Sequence, residues 1–222
     1  MANRPYFTTG KNNSFFEEHT CDFEFFNGFN IIQKQKSIKS LHDAILQERP
    51  EAKLLEVSRK SENLLGTKLS AFNLRFITKS GDRYPVENVF QSSKVFSQGG
   101  PYRDLLTCTP LEAKRDERLQ ESGNLIKFNF DNEDWGLEPK TMFYDYIYIT
   151  ALYEDRELCE QLVQFDTFTD IEFNPKKSFN CQARAVAVFV TLYKQGLVSE
   201  YLNDKEKFKS LYLEGEPEFC LC

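Results

Sequence analysis

The sequence NCQARAVAVFVTLYKQG, which spans residues 180–196, is apolar over nearly the whole circumference of a helix. Alanine, valine, phenylalanine and leucine fill most positions from 183 to 192. A helix that is apolar on all sides is buried in a protein core. We therefore predict a buried helix from Cys181 to Lys194, with Asn180 as its N-cap and Gly196 as the C′ residue that ends it.

Apolar periodicity and capping residues elsewhere predict further helices and a few short strands. The sequence Thr-Pro-Leu-Glu at 109–112 is a capping box with proline in the first turn, so a helix should begin there and end near Gly123. The other predicted helices run from Gln33 through Ile45, from Pro85 to about Phe96, from Thr141 to Glu154 and from Arg156 to Phe165. The predicted strands are 54–57, 72–77 and 125–130. This pattern indicates an α+β fold, a mostly helical single domain with a small β-sheet.

Length and composition favour a folded, soluble protein. The 222 residues include 21 Phe and 10 Tyr, which is enough apolar material for a buried core. With 34 acidic and 28 basic residues the net charge is −6, which argues against binding of polyanions through phosphate contacts alone. The basic stretch Gln33–Lys39 is either a solvated helix face or a local nucleic-acid contact.

Targeting signals are not evident in the sequence. The first residues lack the basic and apolar regions of a signal peptide, and the most apolar stretch, 185–193, is far shorter than the ~20 residues of a membrane span. We therefore expect a cytoplasmic protein that makes no contact with membranes, and we expect it to be a monomer.

The cysteines and histidines are too few and too scattered for a disulfide framework or a metal site. There are six cysteines without a Cys-x-x-Cys pair, and His19 and His42 are the only histidines. We expect reduced thiols and no structural metal. Because neither histidine lies in a segment typical of a site, a Ser/His/Asp or Cys/His nucleophile is disfavoured. Carboxylates, lysine or a cofactor are left as the source of any chemistry.

A polar stripe runs along one edge of the helix predicted at 85–96. Glu87, Gln91 and Lys94 follow one another along the border of its apolar arc. Glu87 and Lys94 would be two turns apart, about 10 Å along the axis, which is too far for an i,i+4 ion pair. These two side chains either converge on a ligand or form a hydrated helix edge, and periodicity alone does not separate the two interpretations.

Two other segments also have both a functional and a structural interpretation. The run 168–180 mixes acids, lysines and turn formers before the buried helix. It is either an ordinary capped loop or an anion pocket formed with Lys176, Lys177 and Arg184. Trp135, the only tryptophan, is either a core residue or a stacking surface for a base or sugar.

Together these segments resemble the NADAR (NAD- and ADP-ribose-associated) family. The most specific match is the helix motif Glu-x-x-Phe-Gln-x-x-Lys, which is present here as Glu87, Phe90, Gln91 and Lys94. The family's Ser-Asn-Phe-type strand is similar to Leu-Ser-Ala-Phe-Asn at 69–73.

Other matches to the family are less specific. The segment around Arg115 resembles a family helix, with Lys114 where the family has glycine. Trp135 resembles the tryptophan that precedes the family's central helices. Asp170 and Asn180 resemble the acid and the amide that flank its final buried helix, although the family's Trp-Gly and Gly-Lys-Gly elements are missing from this loop.

A narrower resemblance, to the NADAR antitoxins paired with DarT-type toxins that ADP-ribosylate guanine in DNA, extends over nearly the whole chain. The matching sequences are QKQKSI at 33–38, LSAFNL at 69–74, GGPYRDL at 99–105, EPKTMFYD at 138–145 and FTDIEFNPKKS at 168–178. The resemblance implies a YbiA-like (NADAR) fold with an N-terminal extension, residues 1–64, packed on a catalytic domain of residues 65–222. It implies an N-glycosidase that removes ADP-ribose from guanine bases of DNA without a cofactor, with a cognate DarT-type toxin as its functional partner.

The resemblance also implies roles for individual residues. Glu87 and Asp170 would stabilise the oxocarbenium-like centre and handle the leaving amine and water. Lys94 would attack the opened sugar as an amine, or bind a phosphate or hydroxyl group. The implied substrate-binding residues are Ser70, Phe72, Asn73, Arg115, Trp135 and Asn180, of which Phe72 and Trp135 would stack on rings.

Two other functions remain open at this point. The YbiA-like members of the family resemble N-glycosidases of small phosphorylated metabolites, an activity that the N-terminal extension disfavours. The other is a non-catalytic antitoxin that sequesters ADP-ribose or the toxin. Glu87, Lys94 and Asp170 together favour catalysis, although a binding pocket would use similar groups.

Overall fold

The computed structural model describes residues 1–11, 14–28 and 30–212. It combines helices with small sheets, which confirms the predicted α+β class. The chain divides into two compact units. The first unit contains residues 1–70 and the chain from Asp155 onwards, and the second contains residues 71–154. The predicted division into an extension (1–64) and a catalytic domain (65–222) stays a prediction.

The strands and helices are numbered separately along the chain. The strands are β1 (Ala2–Thr9), β2 (Phe16–Phe23), β3 (Leu54–Glu56), β4 (Arg75–Ile77), β5 (Arg83–Pro85), β6 (Lys94–Phe96), β7 (Leu125–Phe130), β8 (Glu133–Trp135) and β9 (Thr167–Thr169). The helices are α1 (Ile31–Glu48), α2 (Leu64–Lys68), α3 (Val86–Ser92), α4 (Pro110–Arg115), α5 (Arg118–Glu121), α6 (Met142–Tyr153), α7 (Arg156–Leu162), α8 (Gln182–Lys194), α9 (Val198–Leu202) and α10 (Lys205–Ser210).

The first unit is built on a mixed sheet in the order β2-β1-β9-β3. β1 pairs antiparallel with both β2 and β9, and β9 pairs parallel with β3. The long hairpin of β1 and β2 was not predicted, and neither was β9, which overlaps the start of the segment 168–180 that was predicted to be either a loop or an anion pocket. Helix α8 packs on β1 and β9, and α1 packs on β2.

Helix α8 confirms the prediction of a buried helix. Every residue from Ala185 to Leu192 is buried. Its end is a Schellman motif, in which the N–H of Gly196 bonds to the carbonyl of Tyr193 and that of Leu197 to Leu192. Gly196 has φ 72°, as the C′ position requires. The prediction for the other end is wrong: the N-cap is Cys181, and no side chain caps the helix there.

The second unit contains the hairpin β4-β5, the antiparallel sheet β6-β7-β8 and the helices between and after these strands. Its core is aromatic. The ring of Phe143 on α6 lies 4.6 Å from that of Phe128 and 5.5 Å from that of Trp135, measured between centroids. Phe90 on α3 joins this cluster, 5.4 Å from Phe128. These contacts attach α3 to the sheet and so place the side chains that α3 carries.

The helix predicted from Pro85 to Phe96 ends early, which changes the position of Lys94. Helix α3 stops at Ser92, and Lys94 is the first residue of β6, paired with Phe128 of β7. The hydroxyls of Ser92 and Ser93 both donate to the carbonyl of Val89, at 3.1 and 2.7 Å. Such bonds compete with helix continuation, and β6 gains a full strand partner instead.

The helix predicted from Thr109 to Gly123 begins as expected but is interrupted. The capping box is present: the side chain of Thr109 accepts from the backbone of Glu112, and Glu112 accepts from that of Thr109. Asp116 has ψ 125° and accepts a bond from the N–H of Arg118, which starts a separate helix, α5. The segment predicted as a strand at 72–77 is strand only at β4.

The thiols and the lengths of the helices can be compared with the predictions of reduced cysteines and no membrane span. Cys21, Cys108, Cys159 and Cys181 are free thiols, and Cys220 and Cys222 lie outside the described residues. In the part of the chain that is described, none of the helices has the length and apolar character needed to cross a membrane.

Candidate active site

The start of helix α3 is held by the segment that follows Ser70. The N–H of Val86 donates to the carbonyl of Leu74 at 3.0 Å, and the N–H of Glu87 donates to that of Ala71 at 2.9 Å. These bonds satisfy two N–H groups that have no partner inside a helix. As a consequence, the chain around Phe72 and the carboxyl group of Glu87 are fixed in one part of the second unit.

Glu87 is a nearly buried acid with one polar neighbour, Gln91, and one cationic neighbour, Lys114. Its side chain is only about 7% exposed. Its Oε1 accepts a 2.8 Å hydrogen bond from Gln91 Nε2, and Lys114 Nζ lies 3.8 Å from the same oxygen. Both partners stabilise negative charge at this position.

The side-chain oxygen of Gln91, Oε1, is a buried hydrogen-bond acceptor without a donor among the described residues. The residue is 5% exposed, and its Oε1 accepts no hydrogen bond from any residue in the described ranges. A buried acceptor without a donor costs free energy, so the position suits a ligand that brings an N–H or O–H group. Gln91 belongs to the helix motif found in the sequence, but no role was predicted for it.

Lys94 is the nucleophile candidate, and its surroundings lower its basicity. Its Nζ lies 4.8 Å from the centroid of the Phe90 ring. Burial is the main cause that lowers the pKa of Lys94 to about 8; the charge of Glu87 opposes this effect, and the charge of Lys114 adds to it. A fraction of this amine is therefore unprotonated near neutral pH. The predicted desolvation beside Phe90 is confirmed, although Lys94 lies on a strand rather than on the helix edge.

Lys114 joins these residues although it was not predicted to. Its Nζ is 5.4 Å from the ring centroid of Phe72, besides its contact with Glu87. The one available signal was that a lysine stands where the NADAR family has glycine. We call Phe72, Glu87, Gln91, Lys94 and Lys114 the Glu87 cluster. Within this cluster the structure brings together three predicted site residues: Phe72, Glu87 and Lys94.

Asp170 is in the first unit, at the end of β9. Its Oδ1 accepts bonds from the N–H groups of Glu172 and Phe173 at 3.0 and 3.2 Å, and its Oδ2 accepts one from Gln182 Nε2 at 3.0 Å. Burial, followed by the charge of Glu56, raises the pKa of Asp170 to about 7. Asp170 can thus carry a proton at neutral pH, as a general acid must.

The other predicted binding residues occupy varied positions. Ser70 is buried after α2, Asn73 is exposed, and Asn180 is half-buried just before α8. Arg115 is exposed at the end of α4, beside a shallow depression. Trp135 is 4% exposed and packs on α6, which is the position of a core residue. Of the two residues expected to stack on a ligand, only Phe72 is partly exposed.

The basic residues of the predicted anion pocket lie before and at the start of α8. Lys176 and Lys177 are exposed, and the guanidinium carbon of Arg184 lies 5.9 Å from the ring centroid of Phe16. The pocket itself stays a prediction. Among the described residues, no three His, Cys, Asp or Glu side chains are grouped so that they could hold a metal ion.

A buried asparagine anchors the helix that carries Glu87. Asn88 is fully buried, and its Nδ2 donates to the carbonyls of Leu105 and Cys108 at 2.7 and 2.8 Å. We expect Asn88→Ala to lower the free energy of unfolding by about 2 kcal/mol, because it leaves buried carbonyls without donors. Urea denaturation measures this. The exposed substitution Asn203→Ala should change it by less than about 0.5 kcal/mol, and equal losses in both variants would contradict the anchoring role.

Comparison with known families identifies the class of protein to which this fold and these residues belong. A family model described as DarT1-associated NADAR antitoxin matches residues 2–218. The chain therefore has the NADAR type of sequence over nearly its whole length. It belongs to the NADAR-DarT1 antitoxin family, which confirms the resemblance found in the sequence. No curated protein matched the chain.

Proposed function

We propose that this protein is an antitoxin glycohydrolase that removes ADP-ribose from guanine bases of DNA and so reverses the action of a DarT-type toxin. Two facts support the proposal. The family is one of DarT1-associated antitoxins, and NADAR proteins are generally associated with N-glycosidase activity. The observation that carries it is the Glu87 cluster, in which a lysine of lowered pKa interacts with a nearly buried carboxyl group.

The first chemical requirement is stabilisation of positive charge on the sugar. Positive charge develops at the anomeric carbon in either route, as an oxocarbenium-like centre if the bond to the guanine amino nitrogen breaks directly and as an iminium if the ribose ring opens first. In this proposal Glu87 faces that charge as a carboxylate. The hydrogen bond from Gln91 fixes the orientation of the carboxylate before the substrate binds.

The second requirement is a route for release of the base. In our proposal O4′ takes a proton as its bond to C1 breaks, the ribose ring opens to a C1 iminium on the guanine nitrogen, and the neutral amine of Lys94 adds to C1. The guanine amino group takes a proton and leaves, which forms a lysine imine. Water then adds to this imine, so that ADP-ribose is released and Lys94 is regenerated. The lowered pKa of Lys94 supports the nucleophilic role.

The remaining residues have roles in binding and proton transfer in this proposal. Asp170 remains a candidate catalytic acid, because its pKa of about 7 allows it to hold a proton at neutral pH. Phe72 stacks on a ring of the substrate, and Lys114, Arg115 and Asn180 bind hydroxyl or pyrophosphate groups. We also propose the YbiA-like form of the NADAR fold.

The basic and aromatic side chains at the N-terminal end of α1 support a local contact with the DNA strand. Lys34 Nζ lies 5.0 Å from the ring centroid of Phe25, and Lys36 Nζ lies 6.0 Å from that of Phe26. Residues 25–42 contain no acidic side chain, although the whole chain has 34. Basic side chains over aromatic rings are typical of surfaces that bind single strands, and the net charge of −6 restricts such binding to a local area.

The direct test is incubation of the protein with an oligonucleotide that carries ADP-ribose on guanine. We expect free ADP-ribose and unmodified guanine, both measured by chromatography with mass spectrometry. Release of base only from small phosphorylated nucleoside-like metabolites would indicate the YbiA-like activity instead. Binding of free ADP-ribose without any release from DNA would indicate a non-catalytic antitoxin.

A further inference from the structure

A second lysine, Lys114, lies beside the lysine that is the candidate nucleophile. It is in the last turn of α4, a helix that begins at the capping box of Thr109 and packs on α3. Lys114 Nζ is 3.8 Å from Glu87 Oε1 and also lies over the ring of Phe72. The side chain of Lys114 is 56% exposed, and that of Glu87 is only 7% exposed. The cation therefore reaches a buried carboxyl group from the solvent side.

Lys94 has no comparable partner, although it belongs to the same cluster. Its Nζ lies 4.8 Å from the centroid of the Phe90 ring, and among the described residues this nitrogen takes part in no ion pair and no hydrogen bond. The carboxyl group of Glu87 is paired with Lys114 and Gln91 instead. An ammonium group that is partly out of water and has no partner costs free energy, and loss of its proton removes that cost.

Two charges act on the amine of Lys94 in opposite directions. The carboxylate of Glu87 favours the ammonium form, and the ammonium group of Lys114 disfavours it. A cation near both residues offsets the charge of the acid and also repels a proton from the second lysine. Proteins obtain a nucleophilic amine in this way, by placing a lysine out of water or next to another cationic group. Without Lys114, the charge of Glu87 would favour the ammonium form of Lys94.

The groups that face Lys94 from the sheet and from α6 are aromatic. Phe128 of β7 is opposite Lys94 in the pairing of the two strands. The ring of Phe90, over which the amine of Lys94 lies, is met edge-on by Tyr144 of α6, with 5.2 Å between the ring centroids. These rings exclude water without supplying a carboxylate that would hold a proton on the amine.

The charged residues Lys127 and Asp134 belong to the other face of this sheet. Lys127 is opposite Val95, the residue after Lys94, and successive residues of a strand point to opposite faces. Lys127 Nζ is paired with Asp134 at 2.6 Å. These two charges therefore offset each other, and the charges that act on Lys94 are those of the Glu87 cluster.

We propose that Lys114 is a positioning residue whose ammonium group pairs with Glu87 and so leaves Lys94 as a free amine for attack on the sugar. This role rests on the proposed function, because that function assigns the nucleophile to Lys94. Lys94 gives its proton to water before the substrate binds. Lys114 acts through its charge and does not touch the reacting atoms in this proposal.

The protonation of Lys94 can be measured without activity. Carbon-13 NMR of protein with labelled lysine, with the Lys94 signal assigned by its loss in Lys94→Arg, should show an amine that titrates near pH 8. In Lys114→Met the midpoint should rise by at least about half a pH unit, because a repelling charge is removed and Glu87 loses its partner. A midpoint near the ordinary value of lysine in the unmodified protein, or an unchanged midpoint in Lys114→Met, would overturn the inference.

Two matched variants separate the charge of Lys114 from its shape. Lys114→Arg keeps the positive charge, so the midpoint of Lys94 should stay close to its original value. Lys127→Met makes the same change as Lys114→Met at a lysine of the same unit that pairs with Asp134, and it should also leave the midpoint in place. An equal shift in Lys114→Met and in either control would show that the charge of Lys114 is not the cause.

The pH dependence of ADP-ribose release gives the second measurement. If the Lys94 midpoint rises by half a unit, Lys114→Met has about threefold less free amine below pH 7, and the two proteins become equal well above pH 8. The ratio of the variant's turnover number to that of the unmodified protein should therefore rise from about one third towards one as the pH increases. If Lys114 only binds a hydroxyl or phosphate group, KM rises and this ratio does not change with pH, which would refute the role.

Failure of this role can be distinguished from failure of the proposed function. If the unmodified protein releases no ADP-ribose from modified DNA, the proposed function is wrong, but the NMR titrations still decide whether Lys114 keeps Lys94 unprotonated. Should Lys114→Met not fold, Lys114→Gln removes the same charge with a polar side chain and should raise the Lys94 midpoint equally. Glu87→Gln should lower that midpoint, because the charge of Glu87 favours the ammonium form. A rise in Glu87→Gln would contradict the inference.

Discussion

We expect Glu87→Gln to lower the turnover number for ADP-ribose release by about 100- to 1000-fold, because it keeps the shape of the side chain and removes its charge. The positive centre on the sugar then loses the carboxylate that faces it, while the hydrogen bond from the backbone N–H of Glu87 to Ala71 remains. Single-turnover kinetics on guanine-ADP-ribosylated DNA measure the effect. Circular dichroism and thermal unfolding establish that the variant is folded.

A matched control separates this effect from general loss of an acid. Glu121→Gln removes one carboxylate from an exposed position at the end of α5, and it should leave turnover near that of the unmodified protein. Near-normal turnover in Glu87→Gln would show that the carboxylate mechanism is wrong. In cells that express the toxin, Glu87→Gln should fail to restore growth. Rescue by a variant without activity, together with tight toxin binding, would favour sequestration of the toxin.

We expect borohydride added during turnover to leave a covalent sugar adduct on Lys94. Reduction converts a lysine–ribose imine into a stable secondary amine, and mass spectrometry of peptides locates it. Lys94→Arg keeps the positive charge but cannot form the imine, so it should have no measurable turnover. Trapping should increase with pH up to about 7, because the free amine becomes more abundant while Asp170 keeps its proton.

The alternative role of Lys94 gives different results in the same experiment. If Lys94 only binds a hydroxyl or phosphate group, no adduct forms, and Lys94→Arg keeps appreciable turnover with a raised KM. Lys205→Arg, on α10 and outside the cluster, serves as the control for a lysine-to-arginine change. An adduct on Lys176 or Lys177 would place the nucleophile in the segment before α8 and refute the assignment of Lys94.

Elements with strong local signals were predictable from the sequence. The capping box at Thr109, the buried helix α8 and the glycine at 196 all depend on interactions within a few residues, and all three are present. The strand at 125–130 and the helix α6 were likewise predictable from their periodicity. Local hydrogen bonds and apolar periodicity suffice here, because tertiary contacts reinforce the same conformation.

The elements that were missed depend on distant partners. Strand β9 has three residues and no periodicity that could identify it, yet it is one of the two inner strands of the first unit's sheet. It is a strand because β1 and β3, more than 100 residues earlier in the chain, supply its hydrogen bonds. The end of α3 was missed for a similar reason, since Lys94 pairs with Phe128 of β7.

The residues of the candidate site divide in the same way. The spacing of the helix motif predicted that Glu87 and Lys94 belong to one candidate site. This prediction was possible because the two residues are close in the sequence. Lys114 and Glu56 could not be found by spacing, because they reach Glu87 and Asp170 only after distant segments pack. Residue types and short-range order follow from the sequence. The burial and hydrogen bonds that set the pKa values of Lys94 and Asp170 arise from folding, because desolvation and long-range contacts exist only in the packed chain.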